Sequence, residues 1–162
     1  MFEIITNNSQ KTQELAERLA QEAASIKRND QKDKKAVVVG LVGDLGAGKT
    51  TFVQGFARAL GVAEKVLSPT FLIAKCFPLE SKNQKVKKNH FKCLYHIDGY
   101  RLKDHKDLLA TGFEEILNNE ESIVLIEWAD RFKKLLPQNT IWVVFDWLGE
   151  EKRKVSIQNT AP

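Results

Sequence analysis

A chain of 162 residues, 43% hydrophobic and 28% charged, can bury one substantial core and is short for two, so it reads as a single domain over residues 1–162. No apolar run approaches the roughly 18 residues needed to cross a bilayer, and the start MFEIITNNSQ lacks the basic end and apolar centre of a secretory signal; the expected location is the cytoplasm. The net charge of +4 is local, since five lysines (82, 85, 87, 88 and 92) against the single acid Glu80 account for all of it, which excludes a generally basic surface.

In chain order, residues 2–6 (FEIIT) predict a short edge strand. A helix follows from about Ser9 to Ile26, with Leu15, Leu19, Ala23 and Ile26 on one face. Residues 27–35 (KRNDQKDKK) are a charged connector without an apolar anchor. The run AVVVGLV (36–42) is apolar and β-branched, as in a parallel strand covered on both faces. Phe52, Val53, Phe56 and Leu60 recur at helical spacing, and Gly61 is placed to stop that helix. Pro69 in SPTF (68–71) keeps Ser68 out of helix.

Residues 71–77 and 91–98 predict the arms of a hairpin around the lysine-rich segment. Two short helices broken near Gly112 are expected over 104–119, and SIVLIEW (122–128) predicts a second buried parallel strand. Residues 129–136 predict one short helix ended by Pro137. IWVVFDW (141–147) and KVSIQ (154–158) predict a terminal hairpin through Gly149. Cys76 and Cys93 lack CxxC spacing, so two separate thiols are expected, with neither a disulfide nor a zinc site. The fold class is therefore α/β: a P-loop NTPase architecture of three layers, with a mostly parallel central sheet plus antiparallel hairpins.

Between the first buried strand and its helix lies GDLGAGKTT (43–51), which fits GxxxxGK[ST] in the strand, turn and helix context that this motif requires. Gly43, Asp44, Leu45, Gly46, Ala47 and Gly48 supply backbone N–H groups for an anion nest. Lys49 supplies a compact charge for the β and γ phosphates, Thr50 a hydroxyl for Mg²⁺, and Thr51 a hydroxyl for the α-phosphate. A magnesium–nucleotide site also needs an acid at the end of a neighbouring strand; Glu127 closes IVLI and Asp98 closes LYHI, with a helix cap or a surface acid at a strand end as the competing reading. Lys49, Asp98 and Glu127 are thus the candidate catalytic residues and Thr50 a candidate metal ligand; of the two acids, one can bind Mg²⁺ directly while the other acts through water. Thr70 is placed to sense a γ-phosphate or to bond its own backbone, and His96 competes between a catalytic role and that of a hydrogen-bonded strand histidine.

GDLGAGKTT, SPTF, HIDGYR (96–101, the pattern HxDxYR) and the pair Glu127–Trp128 together resemble the TsaE family, also called YjeE, from about Thr12 to Ser156. The resemblance implies a small ATPase of threonylcarbamoyladenosine formation on tRNA that works with the TsaD and TsaB proteins. It implies that Thr50 and Glu127 hold Mg²⁺, that Asp98 supports the metal or the attacking water, that Thr12 lies beside the adenine, and that Tyr100, Arg101 and Trp128 couple the site to partners. tRNA is then met through the complex, with the Lys82 to Lys92 loop as a candidate for direct contact and a solvated hairpin tip as the competing reading. The charged connector and the lysine-rich loop depart from the family's compact pattern.

Two other classes share the phosphate loop. A small-molecule or nucleotide kinase needs a lid with arginines, and the lid-sized insertion here carries lysines only; a nucleotide-switched binding module needs no turnover at all. The guanine-reading NKxD pattern does not occur. With no cis arginine finger or water-orienting glutamine recognisable, slow hydrolysis by the isolated protein is expected.

Overall fold

The computed structural model describes residues 1–25, 35–67, 73–79 and 90–162. Its strands are β1 (Phe2–Thr6), β2 (Val37–Gly43), β3 (Ala74–Pro78), β4 (Cys93–Asp98), β5 (Ser122–Glu127), β6 (Ile141–Trp147) and β7 (Arg153–Gln158). They form one sheet in the order β1-β7-β6-β2-β5-β4-β3. β2 is parallel to both β5 and β6, and β5 to β4. β3, β7 and β1 join antiparallel at the margins, so β3 and β7 run against the other described strands.

The apolar runs lack alternation because both faces of the sheet are covered. On one face Val39 and Leu41 of β2 and Ile123 and Leu125 of β5 pack with α1 (Ser9–Ser25) and α2 (Lys49–Ala59). On the other face Val38, Val124 and Ile126 pack with α3 (His105–Leu109), α4 (Phe113–Leu117) and the Phe132 turn. These are the three layers expected of the α/β class. Phe52 and Phe56 of α2 are wholly buried, with Phe52 edge-on to Phe145 of β6. Gly61 ends α2 in a left-handed conformation, where its N–H and that of Val62 reach back to the carbonyls of Arg58 and Ala57. Gly112, at φ 77°, separates α3 from α4 as its position in the sequence predicts.

Two expectations are corrected. Residues 129–136 do not form one helix: a 3-10 turn covers Ala129–Phe132, and the chain then continues in turns to Pro137. Trp128 enters that turn with φ 61°, and the Arg131 guanidinium is spent on the carbonyls of Gly99, Tyr100 and Leu102, so the segment is tied to its neighbour and not built as a free helix.

Cys76 and Cys93 are not separate thiols but a disulfide. The antiparallel register sets Cys76 opposite Tyr95 and Cys93 opposite Pro78, which makes the cysteines diagonal neighbours on one face, with Cα atoms 6.0 Å apart. Across a sequence separation of 17 residues the loop-entropy estimate is about 3 kcal/mol, so reductant, or serine at both positions, should lower the urea midpoint by that equivalent. Two titratable thiols in the folded, unreduced protein would contradict the bridge.

The predicted hairpin is present as β3 and β4. Ile26, most of the charged connector, Thr70 within SPTF, and Lys82, Lys85, Lys87 and Lys88 lie outside the described residues. Lys92 is described and pairs with Glu121 at 2.7 Å. No helix among the described residues is long and apolar enough to cross a membrane.

Candidate nucleotide site

Parallel strands open their carboxyl ends to one rim, where chain turns and helix N-termini converge. β2 leads straight into the loop of residues 43–48, and α2 begins at Lys49. Gly43 takes φ 145°, and a Cβ there would lie 2.7 Å from the Phe145 carbonyl oxygen, so only glycine lets the loop leave the sheet this closely. Gly48 stands at the N-cap of α2 with φ 102°, and no side chain caps the helix. The free first-turn N–H groups and the positive end of the helix therefore face the rim together, which suits an anion.

Lys49 is only 4% exposed. Its Nζ donates to the carbonyls of Gly43 (2.7 Å) and Asp44 (2.8 Å) and lies 4.0 Å from the centroid of the Trp128 ring. Desolvation pushes the lysine pKa below its ordinary value, against the pull of Glu127, Asp98, Asp44 and Asp130, which favour the charged form. Trp128 holds its place with the left-handed backbone noted above, uncommon for a bulky side chain, and its ring stacks obliquely on Tyr100, centroids 5.2 Å apart.

Glu127 and Asp98 end adjacent strands in register with one another, and Glu127 is also in register with Leu41 of β2. Glu127, 4% exposed, accepts from the Thr50 hydroxyl at both oxygens, 2.9 Å to Oε1 and 3.2 Å to Oε2. Its Oε1 also lies 2.9 Å from Nε2 of His96. Asp98 caps the 3-10 turn Gly99–Arg101 by accepting from the Tyr100 N–H, and it also borders the cleft, so the capping and the site readings hold together.

An open cleft of about 340 Å³ is lined by Leu45, Gly46, Gly48, Lys49, Thr50, Thr51, Asp98, Tyr100, Glu127 and Trp128. Gly43 and Asp44 hold Lys49 through their carbonyls, and Ala47, within the loop itself, is buried. Thr12 is not brought to the cleft lining. Its hydroxyl is 2.9 Å from that of Thr6, in a buried contact that ties α1 to β1.

Sequence reasoning passed over two arginines. Arg153, on β7, donates to the carbonyls of Gly46 (3.1 Å) and Ala47 (3.2 Å) and to those of Gly149 and Glu150 in its own turn. A peptide's C=O and the next N–H point in opposite directions, so the bond from Arg153 to the Ala47 carbonyl also fixes the direction of the Gly48 N–H. Arg131 likewise clips the turn after β5 to the turn after β4. Neither has a local signature, because the partners lie 106 and about 30 residues away. For His96 the HxDxYR pattern was the available signal.

The matches to known proteins agree with this geometry. The family model described as threonylcarbamoyl adenosine biosynthesis protein TsaE matches residues 6–155. The tRNA threonylcarbamoyladenosine biosynthesis protein TsaE of Rickettsia felis is 38% identical over 155 residues, 95% of this chain and 78% of that protein. Its namesake from Bacillus subtilis is 38% identical over 123 residues, 76% and 70% of the two chains. The crystal structure of Bacillus subtilis YdiB superposes with a TM-score of 0.67 at 29% identity, covering 96% of this chain and 83% of that one. With a phosphate-loop fold, the HxDxYR and Glu–Trp pairs at one rim, and a family match over nearly its whole length, the chain belongs to the TsaE family.

Proposed function

We propose that this protein is a magnesium-dependent ATPase that serves threonylcarbamoyladenosine formation on tRNA, acting with the TsaD and TsaB proteins. The observation that carries the reading is the Thr50–Glu127 contact at the mouth of an amide-lined loop, 2.9 Å, where a hydroxyl and a carboxylate meet beside Lys49. Hard divalent cations choose oxygen donors of this kind, and magnesium keeps several waters besides, so the pair fits Mg²⁺. When bound, Mg²⁺ would neutralise charge on the phosphate oxygens during cleavage.

The chain's own residues divide the remaining work. The 43–48 loop and the first turn of α2 bind the phosphates through N–H groups, with the Thr51 hydroxyl directed to the α-phosphate. Lys49 leaves the carbonyls of Gly43 and Asp44 to meet the β and γ phosphates. Thr50 and Glu127 would hold the metal, and Asp98 would orient the water for attack on the γ-phosphorus. Tyr100 and Trp128, at the lip, shield the reacting end and face the partner proteins. A place for Thr12 beside the adenine rests on the family resemblance alone, since its hydroxyl is engaged with Thr6.

None of the described residues lining the cleft is an arginine or a glutamine, which supports slow hydrolysis until a partner completes the site. Phosphate release should therefore be slow for the pure protein and rise when TsaD and TsaB are added. Glu127→Gln should reduce it by about 10²-fold or more by removing the carboxylate from the metal. Recovery of the γ-phosphate on an acceptor, with no inorganic phosphate, would overturn the ATPase reading in favour of a kinase.

A further inference from the structure

His96 sits on β4 two residues before Asp98, so both side chains leave the same face of the sheet, toward α2. It is completely buried, yet Leu94 occupies the equivalent position one step earlier and fills its space with carbon alone. The imidazole has one partner: Nε2 is 2.9 Å from Glu127 Oε1, while Nδ1 is buried without a hydrogen-bond partner. A carboxylate accepts only, so Nε2 carries the proton and donates. Burying a ring with one nitrogen unsatisfied disfavours the fold, and an aliphatic side chain would avoid that. What the histidine adds is a donor aimed at one oxygen of Glu127.

That donor matters because the terminal torsion of a glutamate is broad and roughly two-fold, so the strand alone leaves the carboxylate plane undefined. Thr50 does not define it either, since its hydroxyl bridges both oxygens. His96 breaks the symmetry by engaging Oε1 only, from beneath the site, leaving Oε2 with its single longer contact to Thr50. A hydroxyl can turn a lone pair to a cation and still donate its one proton to a carboxylate, so the donor that tells the two oxygens of Glu127 apart is His96, aimed at Oε1 alone.

We propose that His96 is a positioning residue, its Nε2–H fixing Glu127 through Oε1 and thereby deciding which carboxylate oxygen is presented to the divalent cation beside Thr50. This rests on the metal-holding reading of Glu127 given above. Supporting hydrogen bonds of this kind typically change metal affinity by about 10- to 100-fold.

The test is equilibrium binding of a fluorescent ATP analogue to the full chain, in EDTA and across a Mg²⁺ titration, with melting temperature recorded for each variant. His96→Asn places its amide near Nδ1 and cannot serve Oε1, so it should raise the Mg²⁺ midpoint about 10-fold while leaving affinity in EDTA unchanged. His96→Gln places an amide donor near Nε2 and should restore most of the difference. If neither amide variant folds, His96→Leu is read in the same way as His96→Asn. An unchanged Mg²⁺ midpoint in the folded variant, or equal weakening with and without Mg²⁺, overturns the proposal. Glu127→Gln separates the two layers: if it leaves the Mg²⁺ midpoint unmoved, the metal reading of Glu127 fails; if it shifts the midpoint and His96→Asn does not, only the role of His96 fails.

Discussion

Replacing Lys49 with alanine should weaken ATP binding by about 30-fold to several thousand-fold, the largest loss of binding expected of any single substitution here. The ammonium is buried, gripped by two loop carbonyls and covered by an indole. It is also the cation around which Glu127, Asp98, Asp44 and Asp130 are gathered. Truncating one member of such a desolvated, hydrogen-bonded charge set costs about 2–5 kcal/mol, or roughly 30-fold to several thousand-fold in affinity. An anionic ligand would meet four acids with their counter-charge removed. Arginine should not rescue binding, because a planar fork does not replace a compact ammonium in a space closed by Trp128.

The pH dependence has a definite sign. Burial lowers the folded pKa of Lys49, so the unfolded chain holds that proton more tightly; the charged lysine costs stability at neutral pH, and the cost lapses as pH rises from the folded value to the ordinary lysine value. Nucleotide affinity runs the other way, being full below the folded pKa and lost above it, in an alkaline window that opens earlier than for a solvated lysine. Equal affinity in wild type and Lys49→Ala by equilibrium dialysis would refute the assignment.

The largest effect of a single substitution on stability is expected at a glycine outside the motif. A Cβ on Gly55 would stand 2.5 Å from the Gln13 carbonyl oxygen and 2.6 Å from its Cα, both backbone atoms of α1, which cannot swing aside. Gly55→Ala must therefore push the two helices apart, at about 3 kcal/mol, the upper end of typical overpacking costs. For a chain of this length that corresponds to a fall in Tm of about 6–12 °C. Gly46→Ala is the control: nothing lies within 4 Å of its Cβ, and the cost is confined to a φ of 75°. The urea midpoint should fall markedly for the first at unchanged slope, and by about 1 kcal/mol equivalent for the second. Equal stabilities would show that α1 and α2 are not in the contact described.

Whatever is written in local periodicity was legible beforehand. The two buried strands around Val39 and Leu125, the loop between Gly43 and Gly48, the stop at Gly61 and the break at Gly112 all follow from residue type at short range. So did the strand-end acids, because a parallel strand next to a phosphate loop must deliver its last residue to the rim. Pairings across the sheet were not legible. The hairpin arms were visible, but their register was not, and a diagonal Cys76–Cys93 contact depends on register alone. The separation of Thr12 from the cleft and the grip of Arg153 on residues 46 and 47 arise from strand order, which no window of sequence contains. His96 was visible as a motif letter, but its direction came only from the shared face of β4 and β5.

That strand order has a consequence for how the protein comes into being. Among the described residues β1 joins the sheet through β7 alone, and the guanidinium bracing the crown of the phosphate loop comes from that same β7. A nascent polypeptide that has already made GDLGAGKTT thus leaves the ribosome with its signature in place and its bracing arginine still to come, so readiness for nucleotide waits on β7.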